Sequence, residues 1–374
     1  MPSRRTRDPD DVDISWTLGP YRFEQPLLAS ALDGVVSPET AGIIGRLGGL
    51  AVLNLEGIFC RYEDVDAQLE KIASLPQEEA TREMQEIYRE PVKPELIAQR
   101  IREIKDQGVV VAASLTPQRV RTHYELALEA GLDILVIQGT VVSAEHVSTV
   151  SEPLNLKEFI GEVPVPVVVG GCASYHTGLH LMRTGAAGVL VGVGPGAICT
   201  TRGVLGIGVP QATAIADVAA ARSQHMLETG DYVRVIADGG MKNGGDVAKA
   251  IACGADAVML GSALAKAVEA PGRGYNWGMA TFHPTLPRGT RVKTPQNGTL
   301  EEIVNGPARE NDGMFNLMGA LRTSMATCGY RDIAEFNRAE LMVAPALQTE
   351  GKSLQRDQQV GMGSNGRAVA LVND

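Results

Sequence analysis

Aromatic residues, histidines and cysteines are all scarce in this sequence of 374 residues. Aromatic residues make up 4% of it, and it has six histidines and five cysteines. The cysteines are scattered without C-x-x-C spacing, which argues against a disulfide framework and against a zinc site. The histidines show no H-E-x-x-H or comparable spacing. We therefore expect reduced thiols and no metal centre built on histidine, and we assign the histidines no role.

Long apolar runs and basic stretches are also missing. No segment approaches the roughly 18 apolar residues that a membrane span needs, and no apolar segment follows the charged N-terminus. The net charge of −10 argues against nucleic acid or an anionic membrane as a partner. Backbone N–H groups can still bind a phosphate without a basic surface. We expect a soluble, cytoplasmic protein with a small-molecule partner.

Short β-branched runs recur along the chain, and each is followed by a helical pattern. The runs at 165–169 and 257–260 are continuously apolar, which is typical of parallel strands buried on both faces. Eight strand–helix units predict an α/β protein with a closed (β/α)8 TIM barrel rather than an open doubly wound sheet. The predicted strands are 26–30, 50–54, 109–115, 134–138, 165–170, 189–193, 234–238 and 257–261.

Two segments interrupt the repeat, and further segments flank it. A strongly charged stretch at 60–92 follows the second strand and predicts an exposed pair of helices, for which a solvated face is favoured over a binding site. A stretch at 271–298 without periodicity follows the eighth strand and is a candidate lid. The remaining divisions are an N-terminal extension at 1–19, a barrel domain at 20–345, C-terminal helices at 299–343 (299–305, 314–327 and a packed piece at 336–343), and a disordered tail at 346–374.

The loop at 191–202 places Cys199 among three glycines and a proline, which exclude a regular element. A free cysteine is more often a small buried hydrophobic residue than a functional one. Here Thr200, Thr201 and Arg202 follow it, and hydroxyls with a cation favour the thiolate and stabilise developing charge. The loop therefore predicts a nucleophilic cysteine that faces a cavity.

Strand ends elsewhere predict a nucleotide site, because TIM barrels carry their chemistry on the rim at the carboxyl ends of the strands. Asp238 ends a buried strand, and its carboxylate suits the two hydroxyls of a ribose, although an Asp there could instead cap the helix from Asn243. Glycines and a serine on the same rim predict a phosphate site, with a helix at 263–268 behind it. This pattern also occurs in flavin mononucleotide enzymes and does not identify the ligand. The rim residues are Ser30, Asn54, Cys199, Asp238, Gly239, Gly240, Gly261 and Ser262.

These motifs resemble those of the IMP dehydrogenase and GMP reductase family. The cysteine loop reads Gly192-Val-Gly-Pro-Gly-Ala-Ile-Cys-Thr-Thr-Arg, close to the family's G-x-G-x-G-S-I-C-T-T-R. The resemblance continues through Gly208-Val-Pro-Gln, Ile236-Ala-Asp-Gly-Gly, Met259-Leu-Gly-Ser and Leu317-Met-Gly-Ala-Leu-Arg-Thr-Ser-Met-Ala-Thr-Cys-Gly. It covers most of 20–340.

The resemblance implies a reaction at C2 of a purine nucleoside monophosphate (IMP, XMP or GMP), with a thioimidate on Cys199 and hydride transfer to or from NAD or NADP. Thr201 and the lid residue Arg288 would share in catalysis. The substrate-binding residues implied are Ser30, Leu32, Asp238, Gly239, Gly240, Gly261 and Ser262, and the cofactor-binding residues are Gln138, Gly139 and Thr140. The carbonyls of Gly194, Gly196 and Cys199 resemble a potassium site, and the family implies a homotetramer or octamer.

The chain departs from the family pattern in several places. Only the charged stretch at 60–92 stands where the family usually has a pair of CBS domains. Ala197 replaces a loop serine, and Gln138 replaces an aspartate. Loss of that acidic group would allow NADP(H) to bind more easily. The family's catalytic Arg-Tyr pair is not recognisable in the lid, where Arg288 and Arg291 are the nearest candidates. The pattern resembles the CBS-free bacterial members and slightly favours reduction of XMP to IMP over oxidation of IMP. GMP reductase, a nucleotide-binding regulator without turnover and a flavin enzyme are the alternatives.

Overall fold

Eight parallel strands close into a barrel in this computed structural model, which describes residues 5–147, 153–278, 290–343 and 353–361. Strands β1 (Trp16–Leu18) and β2 (Tyr21–Phe23) form a hairpin before it. The predicted TIM barrel is confirmed, and each strand pairs with its neighbour in sequence until the last returns to the first. The barrel strands are β3 (Leu27–Ala29), β4 (Leu50–Asn54), β5 (Ala112–Leu115), β6 (Ile134–Gln138), β7 (Val167–Cys172), β8 (Gly188–Val191), β9 (Arg234–Asp238) and β10 (Ala257–Leu260).

Most of the helices cover the outside of the barrel and bury apolar side chains against it. Ser37, Asn155, Ser174 and Asn243 begin four of them, and each side chain accepts a hydrogen bond from a backbone N–H of the first turn. The helices up to the last barrel strand are α1 (Pro38–Arg46), α2 (Val65–Ser74), α3 (Gln77–Ile87), α4 (Pro94–Lys105), α5 (Val120–Glu129), α6 (Leu156–Glu162), α7 (Tyr175–Met182), α8 (Thr201–Leu205), α9 (Gln211–Thr229) and α10 (Gly244–Ala252).

Several strand boundaries differ from the sequence prediction. Strand β5 begins at Ala112 rather than at 109, and β8 ends at Val191 rather than at 193. Strand β7 extends through two glycines to Cys172. A Cβ on Gly171 would lie 2.6 Å from the carbonyl oxygen of Gly192, so only glycine lets this strand end pass the start of the cysteine loop.

The charged stretch after the second barrel strand folds as the predicted helix pair, α2 and α3. One face of the pair is not solvated, because it packs against strands β11 (Tyr275–Trp277) and β12 (Arg291–Lys293). These two strands form an antiparallel ribbon within the predicted lid segment, whose residues 279–289 lie outside the described residues. The contact forms a second apolar cluster beside the main core, made of Ile58, Phe59, Val65, Leu69, Ile72, Met84, Ile87 and Trp277.

The C-terminal helices are α11 (Leu300–Val304), α12 (Leu317–Cys328) and α13 (Ile333–Phe336), near their predicted places. Residues 337–343 are largely exposed and irregular rather than packed. The helix predicted at 263–268 is a 3-10 turn, Leu264–Lys266. Within the predicted disordered tail the structure has helix α14 (Ser353–Asp357), and 346–352 and 362–374 lie outside the described residues. Among the described residues, every helix falls short of the length and apolar character that a membrane crossing requires.

Candidate active site

A cavity of about 380 Å³ opens at the carboxyl ends of the barrel strands. It has two sides of different character, which we call the glycine wall (192–201, 238–242 and 261–262) and the polar wall (Asn54, Glu56, Ser114, Thr116 and Gln138). Arg288 lies outside the described residues. The other sequence-predicted site residues all line the cavity: Ser30, Leu32, Asn54, Gln138, Gly139, Thr140, Gly194, Gly196, Cys199, Thr201, Asp238, Gly239, Gly240, Gly261 and Ser262.

The cysteine loop turns sharply out of β8 into the cavity. Gly192 has φ +154°, and a Cβ there would collide with the carbonyl oxygen of Asp238, so the two strand ends touch through backbone alone. Arg202 donates to the carbonyls of Val193 (3.3 Å) and Val209 (2.5 Å). Its guanidinium therefore joins the start of the loop to the segment after α8, a structural role that the sequence did not reveal.

Cys199 is exposed in the cavity, and its Sγ lies 3.3 Å from Oγ1 of Thr201, which is buried. Two other cysteines, Cys172 and Cys60, differ from it in burial. Burial raises the pKa of Cys172 to about 12 and also raises that of Cys60, so both thiols stay protonated. Exposure to the cavity and a neighbouring hydroxyl make Cys199 the thiol suited to attack a bound ligand.

Asp238 lies on the glycine wall at the end of β9, where burial raises the pKa of its carboxyl to about 7. Nε2 of Gln138 donates to its Oδ2 at 3.2 Å, which opposes part of that rise. The next helix is capped by Asn243, so the alternative role of Asp238 as a cap is wrong. A carboxylate held at the cavity surface is free to accept hydrogen bonds from ribose hydroxyls.

The glycine wall brings backbone close to the cavity at two further strand ends. Gly239 and Gly240 both have φ +85°, the left-handed region that favours glycine, and a Cβ on Gly240 would lie 3.1 Å from Pro195 of the cysteine loop. A Cβ on Gly261 would lie 2.9 Å from the side chain of Leu32. With Ser262 and Lys242 beside them, these turns offer N–H groups, a hydroxyl and a cation to an anion.

The polar wall contains residues that the sequence analysis missed. Glu56 accepts hydrogen bonds from the N–H (2.6 Å) and the hydroxyl (3.2 Å) of Thr116, which joins the loops after β4 and β5. Ser114, on β5, also lines the cavity. No sequence motif marks these residues. Their positions at or near the carboxyl ends of barrel strands were the one signal that could have identified them.

The potassium site implied by the family resemblance would use backbone oxygens of the cysteine loop. The carbonyl of Gly196 accepts the N–H of Cys199 at 3.0 Å, which fixes the turn that carries Gly194, Gly196 and Cys199. Carbonyl oxygens suit hard monovalent cations, and each retains a second lone pair. Within the described ranges, no three His, Cys, Asp or Glu side chains are grouped so that they could hold a metal ion.

Arg291, one of the two lid arginines considered as catalytic, has a structural role instead. Its side chain is 3% exposed, donates to the carbonyls of Ile72 and Leu75 (2.7 Å to the latter), and covers the ring of Tyr275 at 4.1 Å. It therefore joins the ribbon to α2 rather than facing the cavity.

Comparison with known proteins agrees with this geometry. A model of the IMP dehydrogenase / GMP reductase domain family matches residues 1–353. The chain belongs to this family. It is 48% identical to an uncharacterized oxidoreductase of Mycolicibacterium smegmatis over 352 residues, 92% of this chain and 94% of that protein. It is 33% identical to the inosine-5′-monophosphate dehydrogenase of Methanocaldococcus jannaschii over 282 residues, 66% of this chain and 53% of that protein.

A solved structure supports the same assignment. The IMP dehydrogenase/GMP reductase-like protein from Corynebacterium glutamicum superposes with a TM-score of 0.87 at 46% identity, covering 92% of each chain. The chain is therefore an oxidoreductase of this family, whose members act on purine nucleoside monophosphates with a nicotinamide cofactor.

Proposed function

We propose that this protein interconverts IMP and XMP through a thioimidate on Cys199, and that reduction of XMP is its preferred direction. The observation that carries the proposal is the exposed Cys199 thiol, 3.3 Å from the Thr201 hydroxyl, in one cavity with Asp238 and the glycine turns. A thiol, a ribose-binding carboxylate and a phosphate site on one wall match the parts of a nucleoside monophosphate.

The residues of the glycine wall are proposed to bind different parts of the nucleotide. Asp238 binds the ribose hydroxyls, and Gly239, Gly240, Gly261 and Ser262 bind the 5′-phosphate. Ser30 and Leu32, at the end of β3, contact the base and the phosphate. These contacts orient C2 of the purine toward Cys199, which converts a bimolecular attack into one within a complex.

The reaction balances as XMP, NAD(P)H and a proton giving IMP, NAD(P)⁺ and water. The Cys199 thiolate adds to C2, the C2 oxygen leaves as water, and a thioimidate remains. Thr201 donates a hydrogen bond to the departing oxygen, and the lid residue Arg288 assists the same step. A bound reduced nicotinamide would supply the hydride that C2 accepts. Loss of the Cys199 thiolate then gives IMP.

The preferred direction rests on the resemblance to the CBS-free members of the family. Arg291, a lid candidate for activating water, is packed against α2 and Tyr275, but departure and attack of water are the two directions of one step, so the position of Arg291 favours neither. Cys199 itself serves both directions, because microscopic reversibility makes direction a matter of cofactor supply and relative step rates.

The cofactor is proposed to be NAD or NADP, bound beside Gln138, Gly139 and Thr140. Gln138 carries no charge, so a 2′-phosphate meets no repulsion from this position. The loop carbonyls of Gly194, Gly196 and Cys199 are proposed to bind K⁺. Rates measured in potassium, sodium and lithium salts test this ion, and light scattering tests the proposed homotetramer or octamer. The proposed cytoplasmic location is tested by fractionation.

The deciding experiment incubates the protein with IMP, XMP or GMP and with each oxidised or reduced nicotinamide cofactor. We expect loss of NAD(P)H absorbance with XMP and release of IMP. Turnover of GMP with release of ammonia would make the protein a GMP reductase. Tight nucleotide binding without turnover would favour a regulatory protein, and a flavin spectrum would identify a flavin enzyme.

A further inference from the structure

A buried carboxylate connects the polar wall to the rest of the molecule. Asp33, in the turn after β3, is 1% exposed. Its Oδ1 accepts from Nδ2 of Asn54 at 3.3 Å, and its Oδ2 accepts from the N–H of Ile58 at 3.0 Å. Asn54 ends β4 and lines the cavity. A carboxylate only accepts, so it fixes the Asn54 amide with its nitrogen toward Asp33.

The other end of the Asn54 amide determines where Glu56 lies. Oδ1 of Asn54 accepts the N–H of Glu56 at 2.9 Å. Glu56 in turn accepts from the N–H and the hydroxyl of Thr116, on the next strand end. The orientation of one amide therefore determines the backbone turn that presents Glu56 to the cavity.

Asp33 is also bound from outside the barrel, by the inserted helices and the ribbon. The hydroxyl of Tyr88, just after α3, donates to Oδ2 of Asp33 at 2.5 Å. Nε1 of Trp277, on β11, donates to the same hydroxyl oxygen at 2.7 Å. A continuous chain thus runs from Trp277 through Tyr88 and Asp33 to Asn54, and each hydrogen bond polarises the next.

The direction of these hydrogen bonds is set by burial. Burial and the nearby Asp33 carboxylate raise the pKa of Tyr88 well above its usual value, so its hydroxyl keeps its proton and donates. Burial raises the pKa of Asp33, whereas the bonds from Tyr88, Ile58 and Asn54, and the charge of Arg61, act in the opposite direction. Three donors around one buried carboxylate are the arrangement that such a group requires.

The part of the polar wall formed by Asn54 and Glu56 lies across the barrel mouth from the strand that leads to the attacking thiol. Strand β4, which carries Asn54, is separated from β8, which leads to Cys199, by four strand-to-strand steps in an eight-stranded closed barrel. The groups suited to ribose and phosphate follow β9 and β10 on the glycine wall. The polar wall is therefore the side available to a second ligand, which the proposed function identifies as the nicotinamide cofactor.

We infer that Tyr88 is a positioning residue that acts through Asp33 to hold Asn54 and Glu56 in place for the nicotinamide cofactor. The segment 60–92 then supports the cofactor site through Asp33 and is not merely a solvated addition to the barrel. This inference rests on the proposed function for the identity of the cofactor. Asp33 directly follows Leu32, so a substitution of Asp33 would also disturb a residue proposed to bind the substrate. Tyr88 is therefore the better residue to substitute, because its change leaves the substrate contacts in place.

The test compares Tyr88→Phe with Tyr232→Phe. Both changes remove a hydroxyl that donates to a buried aspartate, because Oη of Tyr232 lies 2.8 Å from Oδ1 of Asp256, before β10 at the opposite end of the barrel. We expect Tyr88→Phe to raise KM for the nicotinamide cofactor about tenfold, the effect of one hydrogen bond to a charged group, and to leave nucleotide affinity within about twofold. Tyr232→Phe should lower Tm without moving either constant.

A second variant covers the case in which Tyr88→Phe fails to fold. Asn54→Asp has the same shape but replaces the donor to Asp33 with a like charge, and we expect a larger rise in the same KM. Equal effects on nucleotide and cofactor, no effect on either, or the same KM change in Tyr232→Phe would overturn the inference.

Calorimetric titration separates this inference from the proposed function. If the protein turns over none of the three nucleotides, the proposed function fails, and the dissociation constants of NAD⁺ and NADP⁺ still compare Tyr88→Phe with the unchanged protein. A weaker cofactor constant in the variant supports the inference. Equal constants, or no cofactor binding by the unchanged protein, overturn it.

Discussion

The two walls of the cavity are built in opposite ways. The glycine wall consists of turns in which backbone approaches backbone, as at Gly192 and Gly240, and each turn carries a short sequence motif of its own. The polar wall consists of side chains that hold one another across long stretches of chain, such as Glu56 with Thr116 and Tyr88 with Asp33. The glycine wall is thus recognisable from local sequence motifs, whereas the polar wall depends on side-chain contacts between distant segments.

This difference has a chemical consequence. Backbone N–H groups at fixed turns suit a phosphate, which every nucleoside monophosphate shares. Side chains in a network can change with single substitutions, so the polar wall is where members of one fold can differ in cofactor or reaction. The predictions that follow test this division, from the largest expected effect to the smallest.

Cys199→Ala should separate chemistry from binding on the glycine wall. We expect turnover to fall by a factor on the order of 10⁴ or more, because no other group can form the covalent intermediate, while nucleotide affinity changes little. Stopped assays with XMP and calorimetry with IMP measure the two quantities. Cys253→Ala, outside the cavity, is the control, and substantial turnover by Cys199→Ala would contradict the mechanism.

The sequence predicted the glycine wall well because its signals are local. Cys199 was recognisable from the glycines and hydroxyls around it, and Asp238 from a strand end followed by two glycines. The eight strands followed from apolar runs and repeated units. Boundaries were less accurate where a tertiary contact decides them, as at Gly171, where the path of β7 depends on Gly192.

The polar wall and the insertion could not be predicted in the same way. Glu56 carries no motif, and its partner Thr116 is 60 positions away. The 60–92 segment is rich in charge, which indicates a solvated helix pair, yet its apolar residues pack on Trp277 from beyond the last barrel strand. Arg291 likewise resembled a catalytic lid residue until its contacts with Ile72 and Leu75 were seen.

Asp238→Asn should weaken nucleotide binding while leaving cofactor affinity within about twofold. We expect a loss of roughly 10- to 100-fold, because hydrogen bonds from ribose hydroxyls to a carboxylate exceed those to an amide. Calorimetry with IMP measures the loss. Asp217→Asn, an exposed carboxylate of α9 outside the cavity, is the control, and a matching loss of cofactor affinity would show that the two walls do not act separately.

The same carboxyl predicts opposite pH trends for binding and stability. Because burial raises the pKa of Asp238 to about 7, lowering the pH from 8 to 6 protonates it and should weaken IMP binding by up to about tenfold per pH unit. The ligand-free protein should gain stability over the same change, since the raised pKa favours the protonated folded state. Binding and Tm measured at pH 6, 7 and 8 check both trends, and Asp238→Asn should remove this contribution from each.

Gln138→Leu is the strictest test of whether the two walls bind their ligands separately. Gln138 lies on the polar wall but donates to Asp238 on the glycine wall at 3.2 Å. Its loss should raise the pKa of Asp238 further and weaken nucleotide binding about 3- to 10-fold at pH 7. Recovery of affinity at pH 8 would identify the carboxyl as the route of the effect. An unchanged nucleotide constant at both pH values would confine Gln138 to the cofactor.

The smallest effect is expected from the charged contact between ribbon and insertion. Arg273 pairs with Asp66 at 2.8 Å and also with Glu70, but both carboxylates are largely exposed, so Arg273→Gln should lower the free energy of unfolding by less than about 1 kcal/mol. Arg291→Gln, which leaves buried carbonyls unpaired, should cost more. Urea denaturation at low salt and at about 1 M salt measures both, since salt screens only the exposed pair. An equal loss of unfolding free energy in the two variants would mean that surface charge holds the insertion against the ribbon and so supports the polar wall. The buried contacts of Arg291 and Trp277 would then not be what fixes the insertion.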